Sequence, residues 1–266
     1  MSRELDALRI KNICPNRQDV QLGDLISLKS WRSNTLNEKL QSELTIFFLA
    51  SKKKASNWSQ EQIDEPASYI KNISKVFGNS QVIFTSSVDV YGHPHVLPIT
   101  ESAPTNCLNS YANSKLKSEL AFQDYFPSDK VLTLRLPGVY GYSSKSDSVY
   151  DYFYRQLVSG LPLNLVNSNV LKLKRDWICA QDLVAFMIRL SEQFTPGLFN
   201  FVSGRSRLIS EYINILSESL HSKPTYIFGS VKEDDQGFDL VFDAKNLYES
   251  FPHVRFSQPS IEHFIA

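Results

Sequence analysis

Four short runs of β-branched and aromatic residues, set apart by amphipathic stretches, constrain this chain of 266 residues more than any other feature. "LTIFFLAS" (44–51), "QVIFTSS" (81–87), "KVLTLRLP" (130–137) and "GLFNFVS" (197–203) read as strands buried on both faces. Between them the apolar positions follow helical spacing. Tyr69, Ile70, Ile73, Val76 and Phe77 form one face, closed by Gly78 at the C′ position. Ala112, Leu116 and Leu120 form a second. Leu183, Phe186, Met187 and Leu190 form a third, entered through Asp182. Crossovers this long between strands imply a parallel α/β sheet covered on both faces. After Gly141 the pattern changes to a polar loop, "YSSKSDS", a tyrosine-rich helix, "VYDYFYRQLVSG", and a further helix, "LISEYINILSESL". A smaller lobe built from pieces after Gly141 accounts for the change.

Bulk properties exclude several functions. Lys plus Arg and Asp plus Glu both number 28, so no charge excess invites nucleic acid or an anionic membrane. Cys14, Cys107 and Cys179 offer neither metal spacing nor a disulfide framework, which fits a reducing cytoplasm. The N-terminus has no apolar h-region and "TIFFLA" is too short to span a bilayer. His93 and His95, between prolines and without an acidic or Cys partner at ligand spacing, read as surface residues, so no metal is expected.

Reactive chemistry enters with "NSYANSKLKSE". Tyr111 and Lys115 are four apart, so on a helix they share one face. A phenol of pKa about 10 is a poor base at neutral pH, and a nearby ammonium lowers that value. A hydroxyl at the end of a neighbouring parallel strand can polarise the reacting oxygen, and Ser86 and Ser87 lie at such an end.

Together, "FTSSVDVYGHPHVLPITESAPTNCLNSYANSKLKSE", "LRLPGVYG" and "KRDWICAQDLVAFMI" resemble the extended short-chain dehydrogenase/reductase family, and within it the NDP-sugar epimerases and dehydratases. The resemblance implies a Rossmann-like doubly wound parallel sheet with a smaller C-terminal substrate lobe. The cofactor domain would take 1–137 and about 175–203, the substrate lobe 138–174 and 204–266. It implies Tyr111 as acid or base, Lys115 as its partner and holder of the nicotinamide ribose, and Ser87, five residues before Gly92, as the third hydroxyl. Ser86 is then a strand residue facing the backbone. Asp24 and Leu25 would lie beside the adenine, Leu49, Ala50 and Ser51 along the cofactor, and Pro137 beside the nicotinamide. Arg175 matches an arginine on the sugar nucleotide's phosphates, a role that suits a guanidinium; an ion pair with Asp176 or Asp182 is the competing use. The implied ligands are NAD or NADP and a sugar nucleotide, in a cytoplasmic protein of a family whose members often pair as dimers.

Departures from the family pattern matter. No GxxGxxG occurs, and the first of ten glycines is Gly23. The alignment places "RIKNIC" on the second strand, so the first strand and the phosphate loop are expected to be missing and the sheet incomplete or rearranged at its start. Lys52, Lys53 and Lys54 could meet a pyrophosphate, or be a solvated loop. Val88-Asp89 replaces the dehydratase carboxylates, leaving Asp89 as a substrate-side base. Gly138 stands where many members place a substrate-binding asparagine, and "NSN" (167–169) near a usual Gly-Asp-Gly loop. Trp177 and Tyr150, Tyr152 and Tyr154 could stack on a base or pack a core. Two functions follow: an NAD(P)-dependent epimerase or reductase, or a catalytically silent relative that binds a metabolite or partner.

Overall fold

The computed structural model describes residues 13, 15, 18–36, 44–49, 58–141, 148–190, 193–229 and 237–264. Along the chain run α1 (Leu25–Thr35), β1 (Thr45–Phe48), α2 (Gln60–Phe77), β2 (Gln81–Ser87), α3 (Ser110–Tyr125), β3 (Val131–Leu136) and β4 (Val139–Tyr140). Next come α4 (Val149–Val158), β5 (Leu163–Leu165), β6 (Lys174–Arg175), β7 (Ile178–Cys179), α5 (Ala180–Leu190) and β8 (Gly197–Asn200). The last are β9 (Arg207–Leu208), α6 (Ile209–Ser219), β10 (Tyr226–Phe228) and α7 (Lys245–Ser250). The expected strand at "RIKNIC" lies, apart from Ile13, outside the described residues.

The elements group into two units, one from 1–92, 105–135 and 187–199, the other from 93–104, 136–186 and 200–266. The first unit holds a four-stranded sheet of order β1-β2-β3-β8. β1 and β2 run parallel, with Thr45 opposite Gln81 and Phe48 opposite Phe84. Every residue of β2 after Gln81 is buried, as a central strand of a covered sheet requires. This is the parallel α/β architecture the strand runs predict.

Phe122 of α3 packs against Phe48 and Phe84, with ring centroids 5.4 and 5.0 Å away, and so fastens the helix to the sheet. Truncating such a buried ring typically costs about 3–5 kcal/mol. α2 begins at Ser59 with a reciprocal capping box, in which Gln62 closes back on the Ser59 backbone. Two details correct the sequence reading. Gly78 ends α2 in a right-handed conformation rather than as a left-handed cap. Leu120 is exposed, because the inward face of α3 carries Ala112, Lys115, Glu119 and Phe122 instead of an unbroken apolar stripe.

The second unit contains three two-stranded pairs: β4 with β7 and β5 with β10, both parallel, and β6 antiparallel to β9. Its core is aromatic. Tyr150 stacks on Trp177 and meets Tyr140 edge-on, while Tyr154 stacks on Phe264. Tyr152 turns its hydroxyl to accept from the Asn164 backbone. These rings pack the protein's own interior. α5 starts at Ala180, two residues before the predicted entry, and Asp182 in its first turn accepts hydrogen bonds from Ser257.

Candidate active site

The chemistry-bearing residues of the first unit gather where β2 ends. The strand stops at Ser87, whose hydroxyl accepts from the Asp89 backbone at 3.2 Å and caps a 3₁₀ turn over Val88–Tyr91. Gly92 leaves that turn with φ of 59°, and a Cβ there would fall 1.9 Å from the Asn106 carbonyl oxygen. Only glycine fits both demands. α3 then begins at Asn109, whose side chain accepts from the Ala112 backbone, so Tyr111 sits in the first turn and Lys115 one turn later.

This brings Ser87, Tyr111 and Lys115 together. The Tyr111 phenol is hydrogen-bonded to the Ser87 side chain. The Lys115 ammonium lies 5.7 Å from the Tyr111 ring centroid and 5.1 Å from that of Phe84, and donates to the Thr85 carbonyl at 2.7 Å. Burial lowers the Lys115 pKa to about 8 against the opposing pull of the Glu119 carboxylate. The phenol moves the other way. Burial first, and then the Asp89 carboxylate, push Tyr111 up to about 12, while Ser87 draws it down. The i, i+4 spacing predicts a phenol lowered by its lysine. In the folded chain burial and Asp89 raise it instead, and the group that draws it down is Ser87, not Lys115.

Sequence reasoning missed three residues here. Trp58 meets Tyr111 edge-on, with centroids 6.3 Å apart. Glu119 is buried beneath the triad and takes a forked pair of bonds from Arg135, Nε to Oε1 at 3.0 Å and Nη2 to Oε2 at 2.7 Å. Ser86 donates to the same Oε1, so its side chain has a partner of its own, contrary to the backbone-facing reading. Burial works against the Arg135 cation, yet the bonds to Glu119 hold its pKa above the ordinary value. Arg135 also lies over the Tyr91 ring at 4.8 Å. A detectable signal existed: an arginine inside an otherwise apolar strand must find a buried anion.

Other predicted positions are placed differently. Asp24 is exposed and caps α1, its Oδ1 accepting from the Ile26 backbone at 2.8 Å. Leu25 packs partly against the first unit's core, and Leu49 is exposed. Ala50, Ser51 and Lys52 to Lys54 lie outside the described residues.

In the second unit Pro137 is buried and Gly138 lies against Trp177, where a Cβ would come within 2.3 Å of the indole. Arg175 donates to the Lys174 and Phe238 carbonyls and lies over the Phe238 ring, which His93 also meets at a tilt, with ring centroids 4.1 Å apart. Asp176 is buried and accepts from Ser203 and Gly204; burial raises its pKa and those bonds oppose the rise. An open cleft of about 670 Å³ in this unit is lined by Ser203, Arg205, Lys245, Tyr248 and Arg255 among others. It contains none of the predicted site residues. Among the described residues no helix is long and apolar enough to cross a membrane.

Comparison with known proteins finds relatives of one family. The model of the NAD dependent epimerase/dehydratase family matches residues 28–201. UDP-glucose 4-epimerase from Dictyostelium discoideum is 26% identical over 192 residues, covering 64% of this chain and 56% of that protein. The human UDP-glucose 4-epimerase is 33% identical over 81 residues, 26% of this chain and 23% of its own length. The chain thus spans little more than half of the first of these relatives and less of the second. Among solved structures, the Bordetella bronchiseptica enzyme WbmG in complex with NAD and UDP superposes with a TM-score of 0.71 at 20% identity, covering 90% of this chain and 74% of that one.

Proposed function

This chain belongs to the NAD dependent epimerase/dehydratase family, and from that premise we propose that it is a nicotinamide-dependent sugar-nucleotide epimerase or reductase working through Tyr111, Lys115 and Ser87. The observation that carries this is the Ser87–Tyr111 hydrogen bond with the Lys115 ammonium 5.7 Å from the same ring. Two hydroxyls converge from a strand end and a helix first turn, and a buried cation backs the phenol. A sugar hydroxyl or carbonyl oxygen placed between Ser87 and Tyr111 would be within reach of both.

The donor set suits a dinucleotide's ribose. An ammonium has three N–H donors, and Lys115 commits one to the Thr85 carbonyl, which leaves two for hydroxyls. Lys115 and Tyr111 would hold the nicotinamide ribose; NAD or NADP, when bound, supplies hydride acceptance and return. The protein's own part is proton handling. With a pKa of about 12, Tyr111 at neutral pH is a proton donor to a sugar carbonyl oxygen. Ser87 stabilises the charge on that oxygen as the proton moves. Tyr111 acting as a base, as the oxidising half of an epimerase cycle requires, needs the Asp89 charge offset. The substrate class is an NDP-hexose, with Asp89 on the sugar side of this site.

A second reading, a silent relative that binds a metabolite or a partner, is favoured by one observation. Asp24, placed by the family pattern beside the adenine, is engaged in capping α1. The experiment that decides is NADH and NADPH titration followed by quenching of Trp58 emission, then incubation with UDP-glucose or UDP-N-acetylglucosamine and proton NMR of the products. Saturable quenching and a new sugar anomeric signal support the enzyme. Neither cofactor binding at millimolar concentration defeats it.

A further inference from the structure

We infer that Glu119 is a positioning residue for the Tyr111–Lys115 pair, holding Lys115 in its cationic form and fixing the end of β2 that carries Ser87. The inference rests on reading Tyr111 and Lys115 as the proton-handling pair. Its basis is a matched set of contacts between three successive residues of β2 and one face of α3. The Thr85 carbonyl accepts from Lys115, Ser86 donates to Glu119, and Ser87 bonds Tyr111. The three helix residues recur four apart, so they share one face, and the strand end engages all three.

Within that set Glu119 is the anchor. It is 3% exposed and Lys115 6%, so their charges act on each other with little solvent screening. The Arg135 fork and the Ser86 hydroxyl fix both Glu119 oxygens in direction. Such a carboxylate cannot swing over to make its own bond to Lys115, and it acts on the ammonium through its field. The groups facing Lys115 are consistent with this. Tyr111 and Glu119 come from its own helix, Phe84 and the Thr85 carbonyl from β2, and Arg135 from β3 behind Glu119; Asp89 and Tyr91 lie on the turn, facing Tyr111 and Arg135. Glu119 is the anion that burial of Lys115 is set against. Without it, desolvation would strip the proton at a lower pH and the phenol would lose its cation.

A purely structural ion pair would change stability and leave the lysine's titration alone, so the test reads Lys115 directly. Protein carrying ¹³Cε-labelled lysine is titrated by NMR, with Lys115 assigned by its absence in Lys115→Arg. The expected result is that Glu119→Gln lowers the Lys115 midpoint by about one pH unit, while Glu119→Asp, which keeps the charge, restores most of it. An unchanged midpoint in Glu119→Gln overturns the inference. If stranding Arg135 prevents Glu119→Gln from folding, the double variant Glu119→Gln/Arg135→Gln removes both buried charges; a lower midpoint supports the inference and an unaltered one defeats it. Wild-type protein that binds no NADH would defeat the enzyme reading, and the Lys115 comparison would still decide this one.

Discussion

Asp89 stands close enough to Tyr111 for its carboxylate to add to burial in holding the phenol's proton, so the pair sets a pKa of about 12 at the candidate acid–base group. The same carboxylate occupies the position where a dehydratase would carry its longer acid, so it has two uses to separate. Asp89→Asn removes the charge and keeps the shape. The Tyr111 pKa should then fall part of the way from about 12, because the Asp89 charge is gone and the Ser87 bond favours the phenolate while burial, the largest cause of the rise, remains. A difference spectrum of tyrosinate at 295 nm against Tyr111→Phe measures this. Turnover in the oxidising direction should rise as the phenol ionises more readily. If the charge of Asp89 is instead needed to remove a sugar proton, that turnover falls by roughly 10²-fold or more.

Tyr111→Phe and Ser87→Ala separate proton transfer from oxygen stabilisation. Tyr111→Phe removes the donor proposed to give the substrate its proton, and turnover should fall by about 10³-fold or more while NADH affinity stays within a few-fold. Ser87→Ala should cost roughly 10²-fold in kcat with KM little changed, since the serine acts on charge developing in the transition state. Steady-state kinetics with each variant check both. Equal loss of cofactor affinity and turnover would show that the residues hold the ligand rather than act on it.

How far the sequence reveals this site follows from how local each signal is. β2 and the Tyr111–Lys115 face come from contiguous patterns, an apolar run and an i, i+4 pair, and both appear in the structure as read. Gly92 is legible too, because the turn requires positive φ. Glu119 and Arg135 are sixteen residues apart on different elements, and their pairing appears only when α3 lies across β3. That pair is also why Leu120 was misplaced, since the buried stripe of α3 runs through charged residues that a hydrophobicity pattern assigns to solvent. The phenol's raised pKa was illegible for a related reason: spacing reveals Lys115, but burial and the Asp89 field depend on packing.

Lys115 gives the pH dependence. Its pKa lies at about 8, below that of an unfolded lysine, because burial disfavours the ammonium. The folded state therefore sheds this proton before the unfolded one does, and stability gains from this group as pH rises from about 8 to the ordinary lysine value of 10.5. Activity should run the opposite way. If the cation supports the phenol, turnover falls above about pH 8 while the protein stays folded. Lys115→Met should abolish the alkaline loss along with most turnover. It should also raise stability at neutral pH by about 1–2 kcal/mol, since an apolar chain fills the site without an ammonium to desolvate. Denaturation curves at pH 7 test the second claim; a clear destabilisation would mean that the bond to the Thr85 carbonyl outweighs desolvation.

Gly138 allows the second unit to be tested without touching the triad. The Trp177 indole lies where its side chain would be, with Cδ1 at 2.3 Å and Nε1 at 2.6 Å from an added Cβ. Trp177 has no easy retreat, since it stacks on Tyr150 at 5.4 Å and packs on Tyr212 at 4.5 Å, both buried. Its backbone N–H is also tied to the Tyr212 hydroxyl at 3.0 Å. Gly138→Ala should therefore cost about 1–3 kcal/mol through overpacking, with a matching change in tryptophan near-UV dichroism. Gly138→Asn, whose longer side chain meets the same indole, should cost more. Pairing Gly138→Asn with Trp177→Val, which clears the space but gives up the packed indole, should lose less than the two single variants add up to. A combined loss smaller than that sum, followed by urea denaturation, would show that the indole and the added side chain exclude one another. Equal stability of Gly138→Asn and the parent would show that Trp177 moves aside at little cost, and that its contact with Gly138 does not decide which residue stands there.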